Sequence, residues 1–179
     1  MARLEKVTSH YTWAQKAHEQ VDHELGRDLD TPLAHSLITC RKGCSACCHT
    51  QVSATIEEAE LLVKRVEEKQ IELDWNLLKL QASYNPENWL RLNFDKRKCM
   101  FVSSEGSCLV YEDRPSVCRS NYVIGPPSLC STHDGIQRPI RMLKTPRADM
   151  AIVGQYKAAK KVGTLPALLY EVLLAKKNQ

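Results

Sequence analysis

A chain of 179 residues with 25 Lys and Arg against 21 Asp and Glu carries a formal charge of +4, and only 6% of its residues are aromatic. It is long enough to bury an ordinary core without depending on covalent staples. The mild basicity is spread along the chain rather than massed with aromatics, which argues against a nucleic-acid partner.

The start, MARLEKVTSHYTW, has no apolar h-region and reads as no leader. From Leu4 to Leu25 a helix is expected, with Val7, Tyr11, Ala14 and His18 on one stripe and Gly26 as its stop. SATIEEAELLVKRVEEKQIEL predicts a second helix, capped by Ser53 or Thr55. Glu58 stands three residues after Thr55, as a capping box requires, and Ala59, Leu62, Val63 and Val66 form the apolar stripe. Glu57, Glu58 and Glu60 are assigned to its solvent face. DWNLLKLQASY predicts another helix, stopped by Asn85-Pro86, with PENWLRL giving a further short turn. KCMFVSSEGSCLVY reads as a β-hairpin, Lys98 to Val102 against Ser107 to Tyr111, which brings Cys99 near Cys108. Pro115 then opens a helical turn that presents Cys118 and Arg119, and Gly125-Pro126-Pro127 forces a loop before Cys130. Thr145 caps a helix that starts at Pro146 and runs to Gly163, and Thr164 starts another bearing Leu165, Leu168, Leu169, Val172 and Leu173. That last stretch, LPALLYEVLLA, is broken by Glu171 and too short to span a bilayer. The expected architecture is mainly α: helices packed around an irregular cysteine-rich centre with one short hairpin. It reads as a single domain over 1–179, in which region 40–130 is flanked by an N-terminal helix 4–25 and C-terminal helices 146–177.

A soluble cytoplasmic protein with no membrane partner is expected, and in a reducing compartment thiols do metal or redox work more often than they pair. The chain has eight: Cys40, Cys44, Cys47, Cys48, Cys99, Cys108, Cys118 and Cys130. TCRKGCSACCHT packs four of them into nine residues, a knuckle spacing that suits a thiolate-bound ion. Neighbouring side chains diverge, so Cys47 and Cys48 do not readily share one ion. Either one is free or two metals lie side by side. Arg41, Lys42, Arg97, Lys98, Arg114 and Arg119 stand beside cysteines in sequence, and cations so placed favour thiolates. His49 and His133 are possible nitrogen ligands, better read as ordinary polar residues. The spacing Cys40-x3-Cys44-x2-Cys47 also matches the cluster signature of radical S-adenosylmethionine enzymes, but the chain is short and lacks the βα repeat their barrel needs.

GCSACC, the capped TIEEAELL helix, KCMFV and CLVYEDRPSVCRSNY, closed by Cys130, together resemble the YkgJ-type cysteine-cluster family over about Cys40 to Cys130. The family's first spacing is usually two residues, whereas three separate Cys40 from Cys44. The resemblance implies chelation of zinc or iron through the eight cysteines. A related cluster occurs in the longer flagellin lysine methylases. Two functions follow: a structural or sequestering metal-binding module, or a metalloenzyme with a zinc or iron-sulfur centre. No phosphate loop, nucleophile elbow or HExxH supports the second, so a zinc-binding module with the metal ion as its partner is the preferred reading.

Overall fold

The structure is a computed structural model that describes residues 10–41 and 43–178. Among the described residues seven α-helices dominate: α1 (His10–Leu29), α2 (Pro32–Leu37), α3 (Ile56–Glu68), α4 (Trp75–Ala82), α5 (Ser116–Arg119), α6 (Pro146–Ala158) and α7 (Leu165–Lys177). The strands β1 (Ser53–Thr55), β2 (Val123–Ile124), β3 (Arg141–Met142) and β4 (Val162–Thr164) form two minimal antiparallel ladders, β1 with β4 and β2 with β3. The fold is mainly α, as the sequence implies.

Two apolar clusters hold it. The larger joins Ala59, Leu62 and Val63 of α3, Leu78 of α4 and Leu165, Leu168 and Leu169 of α7 around Phe101 and Val110, and Cys99 and Cys108 pack against it. The smaller joins Val21 and Leu25 of α1 to Ala148 and Ile152 of α6. The α1 stripe is read correctly at Ala14 and His18, both buried, while Tyr11 stays outside with Lys64 4.3 Å above its ring. Val7 and the start of the expected helix lie outside the described residues. Gly26 does not stop α1, which continues to Leu29 because its last turn is tied to α6. Asp28 accepts from the amides of Arg147 and Ala148, both at 3.0 Å, and so caps α6 from another helix. Thr145 stands at the cap position but makes no capping bond to the backbone; its hydroxyl lies 3.2 Å from an Asp149 oxygen.

Thr55 and Glu58 form the predicted capping box, with Glu58 N to Thr55 Oγ1 at 3.2 Å and Thr55 N to Glu58 Oε2 at 2.8 Å. Trp89–Arg91 makes the short turn expected after Pro86. Two further boundaries differ from expectation. α6 ends at Ala158 instead of Gly163, because Val162–Thr164 is taken as β4 against β1 and Lys161 accepts from Ile56 N at 2.9 Å. The 98–111 hairpin contracts to the bridge Val102–Cys108, since its backbone is consumed by tight turns around Gly106, whose φ is +79°. A Cβ on Gly106 would sit 2.8 Å from the Gly43 carbonyl oxygen, so this turn presses directly on the cysteine knuckle.

Candidate metal centre

A single 3-10 turn, Ala46–His49, carries Cys47 and Cys48 and packs against both Pro127–Cys130 and Phe94–Arg97. From that turn Cys48 O accepts from Cys99 N at 2.8 Å, locking the knuckle to the 98–111 segment. Cys118 arrives on α5, which Pro115 caps rather than opens: its ψ of 151° is extended, and the helix begins one residue later, at Ser116. Cys40 Sγ accepts from Val123 N at 3.3 Å and lies 3.8 Å from the Asn121 carbonyl. Cys40 is exposed and the other seven are half-buried, and all eight are free thiols. Segments far apart in sequence thus bring their cysteines to one region.

Their mutual fields divide the thiols into two groups that share Cys47. In the deeper group Cys48, Cys99, Cys108 and Cys118 each feel Cys47, and Cys99 and Cys108 feel or act on Cys118 as well. In the outer group Cys130 feels Cys40, Cys44 and Cys47. Cys47 is pulled down to about 6, chiefly by a hydrogen bond from Cys48, against the opposing effect of burial and with help from Asn121. Cys48 is pushed up, first by donating that bond and then by burial. Burial also raises Cys99, to about 11, and raises Cys108, Cys118 and Cys130, with neighbouring thiolates adding to the effect. Cys47 and Cys48 therefore act on one another electrostatically, although as neighbours their side chains are expected to diverge. Among the described residues no three His, Cys, Asp or Glu side chains stand close enough to hold an ion as they are oriented.

The other candidate residues sort differently. Arg114, with Lys69, acts on Cys108. Arg119 turns away from the sulfurs to Asp22, His18 Nδ1 and the Glu112 carbonyl, and Arg97 bonds Thr132. Lys98 donates to the Ser103 carbonyl, Arg41 is exposed, and Lys42 lies outside the described residues. His49 stacks on Phe94 with ring centres 4.1 Å apart and bonds the Ser45 carbonyl through Nδ1, and His133 meets the same Phe94 edge-on at 5.2 Å.

The solvent-face assignment of the α3 glutamates is wrong for two of them. Glu57 and Glu58 are 4% and 0% exposed. Glu57 Oε1 accepts from Lys160 N at 3.0 Å, and Glu58 Oε1 lies 3.0 Å from His18 Nε2 and accepts from Ser116 N at 2.8 Å. A capping box occupies one carboxylate oxygen and leaves the other for a tertiary partner, and here that partner is the helix that carries Cys118. Sequence reading also misses Asn121, which acts on Cys47, and Gln51, which lines a cavity behind the knuckle; it names Arg97 only as a cation beside Cys99, whereas the side chain lines that cavity and bonds Thr132. Position within the CRSNY run was a signal for Asn121; nothing local marked Gln51.

The family model described as CxxCxxCC, "putative zinc- or iron-chelating domain", matches residues 39–150. No curated protein and no solved structure gives a significant match. With the match running from the first cysteine of the knuckle into α6, through all eight thiols, the chain belongs to the CxxCxxCC family.

Proposed function

We propose that this chain is a metal-binding module that chelates zinc through thiolates as two neighbouring ions, with Cys47 between them. Cys48, Cys99, Cys108 and Cys118 serve the deeper ion, and Cys40, Cys44 and Cys130 serve the outer one. The observation that carries the reading is the gathering of cysteines from separated segments around the 3-10 turn Ala46–His49. The donor set fits a cation in its chemistry: burial and one another's charge hold most of these thiols protonated, and a bound zinc ion supplies the positive charge that favours their thiolates. Small side-chain rotations must close the coordination, which the half-buried setting of the thiols permits. Zinc suits tetrahedral sets offered by a knuckle and a tight turn such as Cys99–Cys108, whereas an iron-sulfur cluster needs cysteines around a larger object.

The test is metal analysis with an absorption spectrum on protein purified without oxygen. Colourless protein with one or two zinc ions per chain is expected. Brown protein with stoichiometric iron and acid-labile sulfide would overturn the choice of metal.

A further inference from the structure

The two apolar clusters meet at the thiols. Cys99 and Cys108 pack against the larger one, whereas Val117, the residue before Cys118, packs against the smaller one that α1 and α6 build. An ion held by Cys99, Cys108 and Cys118 therefore joins the two clusters, and Cys118 is the ligand supplied from the α1–α6 side.

The helix that carries Cys118, α5, is four residues long. A single turn has no stability of its own, because ordering its backbone costs more than its few bonds return, so its place is set by what grips it. Ser116 N donates to Glu58 Oε1 of α3 at 2.8 Å, and Ser116 Oγ to Gln155 Oε1 of α6 at 2.6 Å. All three Arg119 nitrogens are bonded: Nε to the Arg114 carbonyl at 3.0 Å, Nη1 to Asp22 of α1, and Nη2 to the Glu112 carbonyl and to His18 Nδ1 of α1 at 3.2 Å. A guanidinium only donates, so His18 Nδ1 accepts from it and Nε2–H donates to Glu58 Oε1, 3.0 Å away. His18, Glu58, Ser116, Arg119 and Gln155 are all buried. Buried polar networks of this kind fix one arrangement of the elements they join. Two of the partners, His18 and Asp22, stand on α1, outside the residues 39–150 that the family model matches.

We propose that α1 is a positioning element of the metal centre: acting through Arg119, His18 and Asp22 hold Cys118 where the deeper ion needs it, and the docking of α1 governs how firmly that ion is kept. The inference rests on the metal-binding reading above and names the regulation of that site. A ligand already in place when the ion arrives binds without a further ordering cost. Where only a fraction of the molecules hold it there, the apparent affinity falls by that fraction. The coupling is reciprocal, so the ion also holds α1 down.

Competition of the intact, zinc-loaded chain with a chromophoric chelator reads the effect. Asp22→Asn removes the charge that faces Arg119 and should weaken one bound ion about tenfold, an ordinary size for coupling between sites. Asp22→Glu keeps the charge and should restore most of the affinity. Leu173→Ala removes packing of α7 on the larger cluster instead, so it lowers stability with the grip on α5 intact and should leave zinc affinity unchanged. The reciprocal arm is amide hydrogen exchange: α1 should exchange severalfold faster in zinc-treated Cys118→Ser than in zinc-treated Cys130→Ser. Unaltered zinc affinity in Asp22→Asn, an equal loss in Leu173→Ala, or α1 exchange that is the same in both cysteine variants would overturn the role of α1 and leave metal binding intact. A chain that binds no zinc at all would overturn both this inference and the reading beneath it.

Discussion

Glu58 shows how much one side chain can connect. Its oxygens accept from the amides of Thr55 and Ser116 and meet His18, whose other nitrogen meets Arg119, so α1, α3 and α5 are fastened through a single carboxylate. Burial alone would raise its pKa, but the bond to His18 and those from the two amides outweigh it and hold the group below its usual value. A depressed carboxyl contributes stability that is complete above its unfolded pKa, about 4.3, and is lost as the pH falls through the lower folded value. Glu58→Gln should therefore cost about 1–3 kcal/mol at neutral pH, and its stability should decline less steeply on acidification below about pH 4.3 than that of the unmodified chain. Parallel acid limbs in denaturant titrations at several pH values would contradict this. The adjacent cysteines give a second test at the same scale. Cys47 belongs to both thiol groups and Cys130 to one, so Cys47→Ser should lose both ions while Cys130→Ser keeps the deeper one. Full metal retention in Cys47→Ser would show that the shared position is misassigned.

At the scale of elements, local chemistry was legible and pairing across the chain was not. The capping box at Thr55, the apolar stripe of α3 and the Pro115 turn could be read because each is decided within a few residues. β4 could not be, since Val162–Thr164 is extended only because β1 and the α3 N-terminus lie alongside it. The centre was legible as a set of thiols, but the burial of Glu57 and Glu58 and the bonds of Asn121, Gln51 and Arg97 depend on partners tens of residues away. Two glycines test the element-level reading in opposite directions. Gly106→Ala places a methyl at positive φ against the Gly43 carbonyl and should destabilise by roughly 1–3 kcal/mol. Gly154 lies inside α6 with open space around it, so Gly154→Ala should stabilise by about 0.5–1 kcal/mol. For a chain of this size each kcal/mol moves the melting temperature by roughly 2–4 °C. Thermal melts in which both variants move the same way would contradict the assignment.

For the whole molecule, the cysteines are a second organising centre beside the apolar one. An ion shared by Cys48 and Cys118 ties positions 70 residues apart in sequence, and such binding energy becomes folding energy. Even about 3 kcal/mol of linkage corresponds to roughly 6–12 °C, so protein stripped by a chelator should melt at least that much lower or lose cooperativity. An unchanged melting temperature after verified metal removal would show that the centre does not support the fold. Among the described residues no helix is long and apolar enough to cross a membrane.

The placement of α7 has a consequence for how the protein is made. Leu165, Pro166 and Leu169 close the wall behind Cys48 and Cys99, yet Leu169 is synthesised 39 residues after Cys130. At roughly 5–20 residues per second, about 2–8 s separate the last thiol from its cover. Throughout that interval the nascent chain presents a complete complement of sulfurs without α7 behind Cys48 and Cys99. On the metal-binding reading proposed above, an ion or oxidant that arrives in that interval meets the thiols before α7 stands behind them, so the rate of translation enters the choice of occupant beside equilibrium affinity.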